Sequence, residues 1–396
     1  MSSRPPMEPP LPIQLPIELW LEIVGNVRDI ATLSMLMRVN RTFHDEAERH
    51  LYLNVTLDDS AILHFCKSVS SSPHRAKLVA CLHLPSIDDK IMVGGASRLF
   101  LSTLNSLRNL EYLTLCFSEG PFFCGPIFQA VFGMRFPFLR GFSTNHVMSS
   151  FPTGLMFFQE HPSLEELEIR VTSHPASEEW ADGLAHFKPC SLRAITCRTW
   201  FLHDRFLVPP TLTHYHATCL DQDPEDLLRI ARLLGKQLVS LRISEMFTGI
   251  LSSQPPDLML DELAKLFPRL RFLQLDMDLA SKPYISTQIV NCIAGRPRPI
   301  GTSTLRRVPR DVQLTLAWVY TTHFQIHEVN MKVAAAWHEF LDKTALEVLR
   351  NWGDYVERIV YRYTVMPYVS VSLNEDGTRL VYKQDPEMVD DQWKLI

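Results

Sequence analysis

None of the eight cysteines stands in a C-x-x-C pair, so the chain offers neither a zinc-ligand spacing nor a dithiol redox motif. Several lie in apolar runs, such as Cys116 in "LTLCF", where a free cysteine serves as packing. Long apolar runs are also missing. None approaches the ~20 residues that a membrane-spanning helix needs. Prolines at 5, 6, 9, 10 and 12 leave no room for the apolar core of a signal peptide. The expectation is an intracellular protein, cytoplasmic or nuclear, with no membrane partner. Excess positive charge is absent too. Lys and Arg number 39 against 44 Asp and Glu, a net charge of −5, which disfavours nucleic acid as a partner.

Catalytic signatures are missing as well. "LGKQ" at 234–237 lacks the earlier glycine and the Ser/Thr of a phosphate loop. "DQDPED" at 221–226 has the acids of a calcium loop without its central glycine, and Asp223-Pro224 suits a helix start better. "HDR" at 203–205 reverses the order of the kinase catalytic loop. "CFSEG" lacks the glycine that a nucleophile elbow needs before Ser118. "HYH" sets His214 and His216 on one strand face, a feasible metal pair with no third ligand nearby, so they read as surface histidines. No cofactor is implied. An enzyme on an unrecognised α/β fold has only scattered His and Asp in its favour.

What is present begins behind the proline-rich tail, expected to be disordered over residues 1–13. "LPIELWLEIVGNV" at 15–27 has the residues of a helix but is apolar on too many sides for one stripe. Pro16 suits a helix start and Gly25-Asn26 an end. Asp29 can cap a second helix, "IATLSMLMRV", and Asn40 a third, "RTFHDEAERHLY". Three short helices in about forty residues are near the lower limit of a self-sufficient core. The segment nevertheless holds more large apolar residues than that core can use, and Met35 and Met37 add adaptable surface. Either the rest of the chain or a second protein covers the surplus.

Residues 14–53 resemble an F-box. Leu-Pro-x-Glu-Leu is followed by Ile-Val, by an Asp-Ile-x-x-Leu helix, and by Arg-Val-Asn-Arg before an aromatic residue. The resemblance implies docking to the small Skp adaptor of cullin–RING ubiquitin ligases. By position, Leu15, Pro16, Glu18, Leu19, Ile23 and Val24 are the expected contacts, with Leu33 and Leu36 in support. Two departures bear on partner binding: the "NVRD" connection is short, and Phe43 stands where the family often has tryptophan.

A loose Leu-x-x-Leu-x-Leu pattern then recurs, anchored at 79, 110, 139, 164, 192, 212, 238 and 270, with helical stretches between. Prolines 137, 162, 189, 210 and 268 precede five anchors and should end each preceding helix. The asparagine of regular repeats, eight positions past the anchor, is absent. The predicted fold class is therefore α/β: a three-helix F-box at 14–53, then an irregular leucine-rich-repeat-like solenoid over 54–325. Its parallel strands should lie on the concave side and its helices outside. Residues 326–396, with a helix at 331–352, a strand in "DYVERIVYRYTV" and a hairpin turning at 374–377, should cap it. The arginine-rich loop at 295–310 reads as solvated.

The implied role is that of a non-catalytic substrate receptor, joined to the cullin through the adaptor. An F-box scaffold acting outside any ligase is the alternative. Alternation along the strands predicts an exposed strip holding Arg170, Arg198, His214, His216 and Arg242. This strip suits an acidic or phosphorylated segment of an unknown target. With equal weight, its arginines pair with Glu166, Glu168 and their neighbours and bind nothing.

Overall fold

The computed structural model describes residues 15–87, 94–117, 125–145, 157–169, 191–198, 202, 208–218, 224–244, 266–278 and 314–321, much of 342–384, and 392–395. The tail at 1–13, the arginine-rich loop and Arg170 lie outside the described residues. The chain divides into two compact units, Met1–Leu139 and Arg140–Ile396.

The first unit opens with three helices, α1 (Ile17–Gly25), α2 (Ile30–Leu36) and α3 (Arg41–Leu53). The starts of α2 and α3 follow the capping signals. Asp29 accepts from the Thr32 N–H at 2.8 Å and Asn40 from the Phe43 N–H at 2.9 Å. Pro16 sits one place earlier than its spacing suggests, as the N-cap of α1, with extended backbone. At the other end, Asn26 closes α1 by donating its amide to the Glu22 carbonyl at 2.9 Å. Val24, Leu33 and Ala47 form the core, flanked by Val27, Leu36, Met37, Phe43 and Leu51. Trp20 meets Phe43 edge to face at 5.6 Å.

A short strand, β1 (Asn54–Thr56), then leads into α4 (Asp59–Ser70), α5 (Pro73–Leu78), β2 (Cys81–Leu84), α6 (Gly94–Ser106), β3 (Tyr112–Leu115) and α7 (Gly125–Phe132). β1, β2 and β3 pair in parallel and in chain order. A polar contact fastens α3 to this part of the unit. The carboxylate of Glu48, its side chain 8% exposed, receives the Arg75 guanidinium at 2.8 Å. Arg75 also donates to Ser68, which bonds the Tyr52 hydroxyl, and it lies over the Tyr52 ring.

The second unit is built on β4 (Gly141–Thr144), β5 (Glu166–Ile169), β6 (Ala194–Cys197), β7 (His214–Ala217), α8 (Pro224–Leu234), β8 (Ser240–Ile243), β9 (Phe272–Asp278), β10 (Leu314–Thr321) and β11 (Val356–Tyr363). Its strands pair in chain order and run parallel from β4 to β11. The parallel pairing thus passes residue 325, where the sequence reading ended the repeats. The expected hairpin follows as β12 (Val369–Leu373) and β13 (Leu380–Gln384), antiparallel to each other, with β12 antiparallel to β11. Asn374 closes its turn by accepting from the N–H groups of Thr378 and Arg379. Of the helix expected at 331–352, positions 342, 345–346 and 349–350 are described, and all are helical. A last short helix, α9 (Gln392–Leu395), completes the described chain.

All eight sequence repeats coincide with strands β2 to β9, each beginning two residues past its anchor. The anchors Val79, Leu110, Leu139, Leu164, Leu192, Leu212, Leu238 and Leu270 are all buried. Within each unit, paired strands share the repeat's phase: Cys81 faces Tyr112, Glu166 faces Ala194, and His214 faces Ser240. The prolines do more than end helices. Pro137, Pro162, Pro210 and Pro268 each take the second place of a four-residue turn, closed by the anchor N–H on the carbonyl three residues back. Proline is suited to that place because its fixed φ matches it. In the missing asparagine's stead, the residue before an anchor reaches back to the previous repeat. Asn109 donates to the Lys77 carbonyl, Thr211 to Leu192, and Gln237 to Leu212 and Pro209. At Gly235, just past α8, an added Cβ would run into the Leu266 and Ala231 carbonyls, so the helix end approaches the next repeat more closely than any side chain allows.

The Glu48–Arg75 contact yields a stability prediction. Arg75→Ala strands a buried carboxylate and should cost the first unit about 3 kcal/mol in urea denaturation. Glu48→Gln with Arg75→Met should recover most of that loss. A cost under about 0.5 kcal/mol for Arg75→Ala would mean that solvent screens the pair.

Candidate functional site

One candidate surface lies on α1 and α2. Helical geometry sorts α1 into stripes. Val24 and Val27 turn towards the core, and Trp20 lays its ring against Phe43 of α3 while staying 37% exposed. Glu18 and Glu22, one turn apart, face solvent. Leu19 and Ile23, spaced four apart, form a third ridge, exposed by 44% and 50%, and Leu15, just ahead of the Pro16 N-cap, is 37% exposed. Ile17, at the start of α1, and Ile30, Met35 and Val39, on or just past α2, are exposed too. Large exposed apolar patches of this kind mark interaction sites.

The sequence-expected contacts separate on this surface. Leu15, Pro16, Glu18, Leu19 and Ile23 are exposed. Val24, by contrast, is 2% exposed, so it holds the three helices together and is not open to a partner. Leu33 belongs to the same core and Leu36 packs against it, as supporting residues should. Ile17, Ile30 and Val39 were not among the expected contacts. Their signal was the surplus of apolar residues over a core of three, which gives a number but not positions.

The second candidate surface is the face of the second unit that carries the expected strip. Along β4 and β5 it is half-exposed at Ser143, Glu166 and Glu168. From β6 to β9 it is buried, and here the expectation of surface histidines is corrected. His214 and His216 do share one face, but they are only 4% and 9% exposed. The cover is α9: the Trp393 ring lies 6.5 Å from that of His214 and 5.5 Å from that of His216. Trp393 also joins Ala194 of β6, Phe272 of β9, Ala317 of β10 and Val360 of β11 in one buried cluster. Arg198 and Arg242 are half-buried at the strip's edge.

Polar contacts at the rim hold α9. Arg193 donates to the Lys394 carbonyl. The Lys394 ammonium sits 3.1 Å from the Glu166 carboxylate, which also faces Arg193 at 3.6 Å. Glu168 accepts from the Ser143 hydroxyl at 2.7 Å. Glu166 thus has Arg193 and Lys394 as its partners at this rim. Beneath α9, the His214 Nε2, the Ser240 Oγ and the Trp393 Nε1 are buried with no hydrogen-bond partner. Each such atom costs about 1–3 kcal/mol. Three together mark a polar-lined slot, not a purely apolar core.

Burial pushes the thiols of Cys66, Cys81 and Cys197 upward, away from the reactive thiolate. Among the described residues no three His, Cys, Asp or Glu stand together as a metal site, and no helix is long and apolar enough to cross a membrane. Compared with known proteins, the chain matches no family model and no curated protein.

His214 gives this face a pH signature. Burial, and then the neighbouring Arg193 charge, push its imidazole down to about 4 from an ordinary 6.5. The unfolded chain therefore binds more protons than the folded one between those values. Stability should be full above about pH 6.5 and fall as the pH drops towards about 4, by on the order of 3 kcal/mol. His214→Gln should flatten that part of the curve in denaturation measured across this window. Identical slopes for both proteins would assign the effect to other groups.

Proposed function

We propose that this protein is a substrate-recognition subunit of an SCF-type cullin–RING ubiquitin ligase. Its first three helices act as an F-box that docks a Skp-type adaptor, and through it the cullin. Its strand-and-helix repeats act as an irregular leucine-rich-repeat solenoid that holds the target. It performs no catalysis itself.

The observation that carries this reading is the division of labour within α1. Val24, with Leu33 and Ala47, completes the core of the three helices, while Leu19 and Ile23 remain as an apolar ridge towards solvent, with Leu15 exposed just ahead of the helix. An exposed ridge of this kind is suited to a groove on a partner, where i and i+4 side chains serve as anchors. The order of the sequence signals supports a Skp-type adaptor as the partner: Leu-Pro-x-Glu-Leu, the Asp29-capped second helix and the Asn40-capped third helix follow one another in the order that resembles an F-box.

Leu19→Asp with Ile23→Asp tests the reading. Both side chains are already exposed, so unfolding should shift by less than about 1 kcal/mol. Capture of the Skp-type adaptor should fall by about thirtyfold or more, the loss of a central anchor worth about 2 kcal/mol. Adaptor recovered at the wild-type level would sink the F-box reading. Adaptor recovered with the wild-type chain but never with cullin would favour the scaffold that works outside a ligase.

A further inference from the structure

We propose that the face of β6 to β11 is a recognition slot for a peptide in which an aromatic residue is followed by a basic one, with Trp393–Lys394 as its resident and displaceable occupant. The resident shows what the slot takes. The indole belongs to one buried cluster with Ala194, Phe272, Ala317 and Val360. The Glu166 carboxylate receives the ammonium of the next residue, and the Arg193 guanidinium holds that residue's carbonyl. An apolar hollow, an acid at its rim and a donor for the peptide backbone are the three parts of a short-peptide site.

Two observations separate this slot from an ordinary core. The occupant is one turn of helix, α9, whose Leu395, beside the indole in sequence, stays 67% exposed. Its fit is also incomplete. The Trp393 Nε1 bonds nothing, while the His214 Nε2 and the Ser240 Oγ beneath it lack partners although both residues are more than nine-tenths buried. An aromatic ligand whose polar atoms reach those two groups would gain hydrogen bonds that the resident forgoes. Beside the slot, β4 and β5 leave the same face half-exposed, so a longer peptide has somewhere to run.

The proposal rests on the reading that the repeats hold a target. Its test uses no adaptor, so its failure and that of the adaptor reading are distinguishable. The probe is a fluorescent peptide with Trp-Lys in a Gly-Ser host; the control replaces Trp by Ala. Binding is measured by anisotropy to the full chain, to Trp393→Ala and to Lys394→Glu. The last variant keeps the indole but sets a carboxylate against Glu166, so the resident opens more often. Apparent affinity rises with the open fraction, and both variants should bind the probe at least about tenfold more tightly than the unaltered chain. The control should bind none of the three. Should Trp393→Ala fail to fold, Lys394→Glu decides alone. Equal binding to the unaltered chain and to Lys394→Glu, no binding to either, or equal binding of the alanine control would overturn the proposal.

Discussion

Within each unit, successive repeats are joined through one recurring contact, and the strand pairing depends on it. The carbonyl of the residue just past an anchor accepts two N–H groups from the next repeat. Ala80 accepts from Glu111 and Tyr112, Arg140 from Glu165 and Glu166, and Glu165 from Arg193 and Ala194. Arg193, Thr213 and Val239 continue the series to Phe272. Each bond is 2.7–3.2 Å long, and each pair sits where a tight turn becomes a strand. The turn before the anchor sets the direction of entry, the buried anchor sets the depth, and the shared carbonyl sets the register. One face of β6 to β9 can therefore be lined by Thr196, His214, His216 and Ser240 without loss of order. The ladder is built by the backbone and by residues pointing the other way.

The elements legible in the sequence were those set by local chemistry. The eight strands were visible because a leucine-like anchor, a turn residue and two further apolar places recur together. The caps at Asp29 and Asn40 were visible because a short polar side chain before a helical run has one good use there. β10 escaped notice because "LTLAWVYT" has no anchor motif and follows the long stretch in which the pattern fades. The candidate site was less legible. Alternation correctly placed His214 and His216 on one face, but exposure is a property of what lies above a face. Here that is Trp393, 177 residues from His216 in the chain. No period links positions so far apart. Val24 was misplaced for a related reason: the motif names the residues of α1 without saying which stripe each joins.

The two candidate surfaces solve opposite problems. On α1 and α2 the chain leaves apolar side chains in water, which is unfavourable until something covers them. On the second unit it covers a face with its own indole and leaves polar atoms unsatisfied beneath. Either arrangement is costly in an isolated fold. Both are where a chain devoted only to its own stability would have been built differently.

The use of the anchor turn in place of an asparagine ladder has a consequence for how such a chain can change. Neighbouring strands keep one register although the anchors are spaced by anything from 20 residues (192 to 212) to 32 (238 to 270). The register does not read the length of what lies between. Lengthening a connection costs only the closure entropy of a larger loop, about 0.6 kcal/mol for each doubling. Segments between the strands can therefore be inserted, trimmed or exchanged with little effect on the pairing. Length is free to vary on the connections, while the turn and anchor positions and the buried residues of the connecting helices, such as Phe100, Leu104, Ile230 and Leu234, are constrained. That freedom lets one framework acquire new surfaces without first being rebuilt.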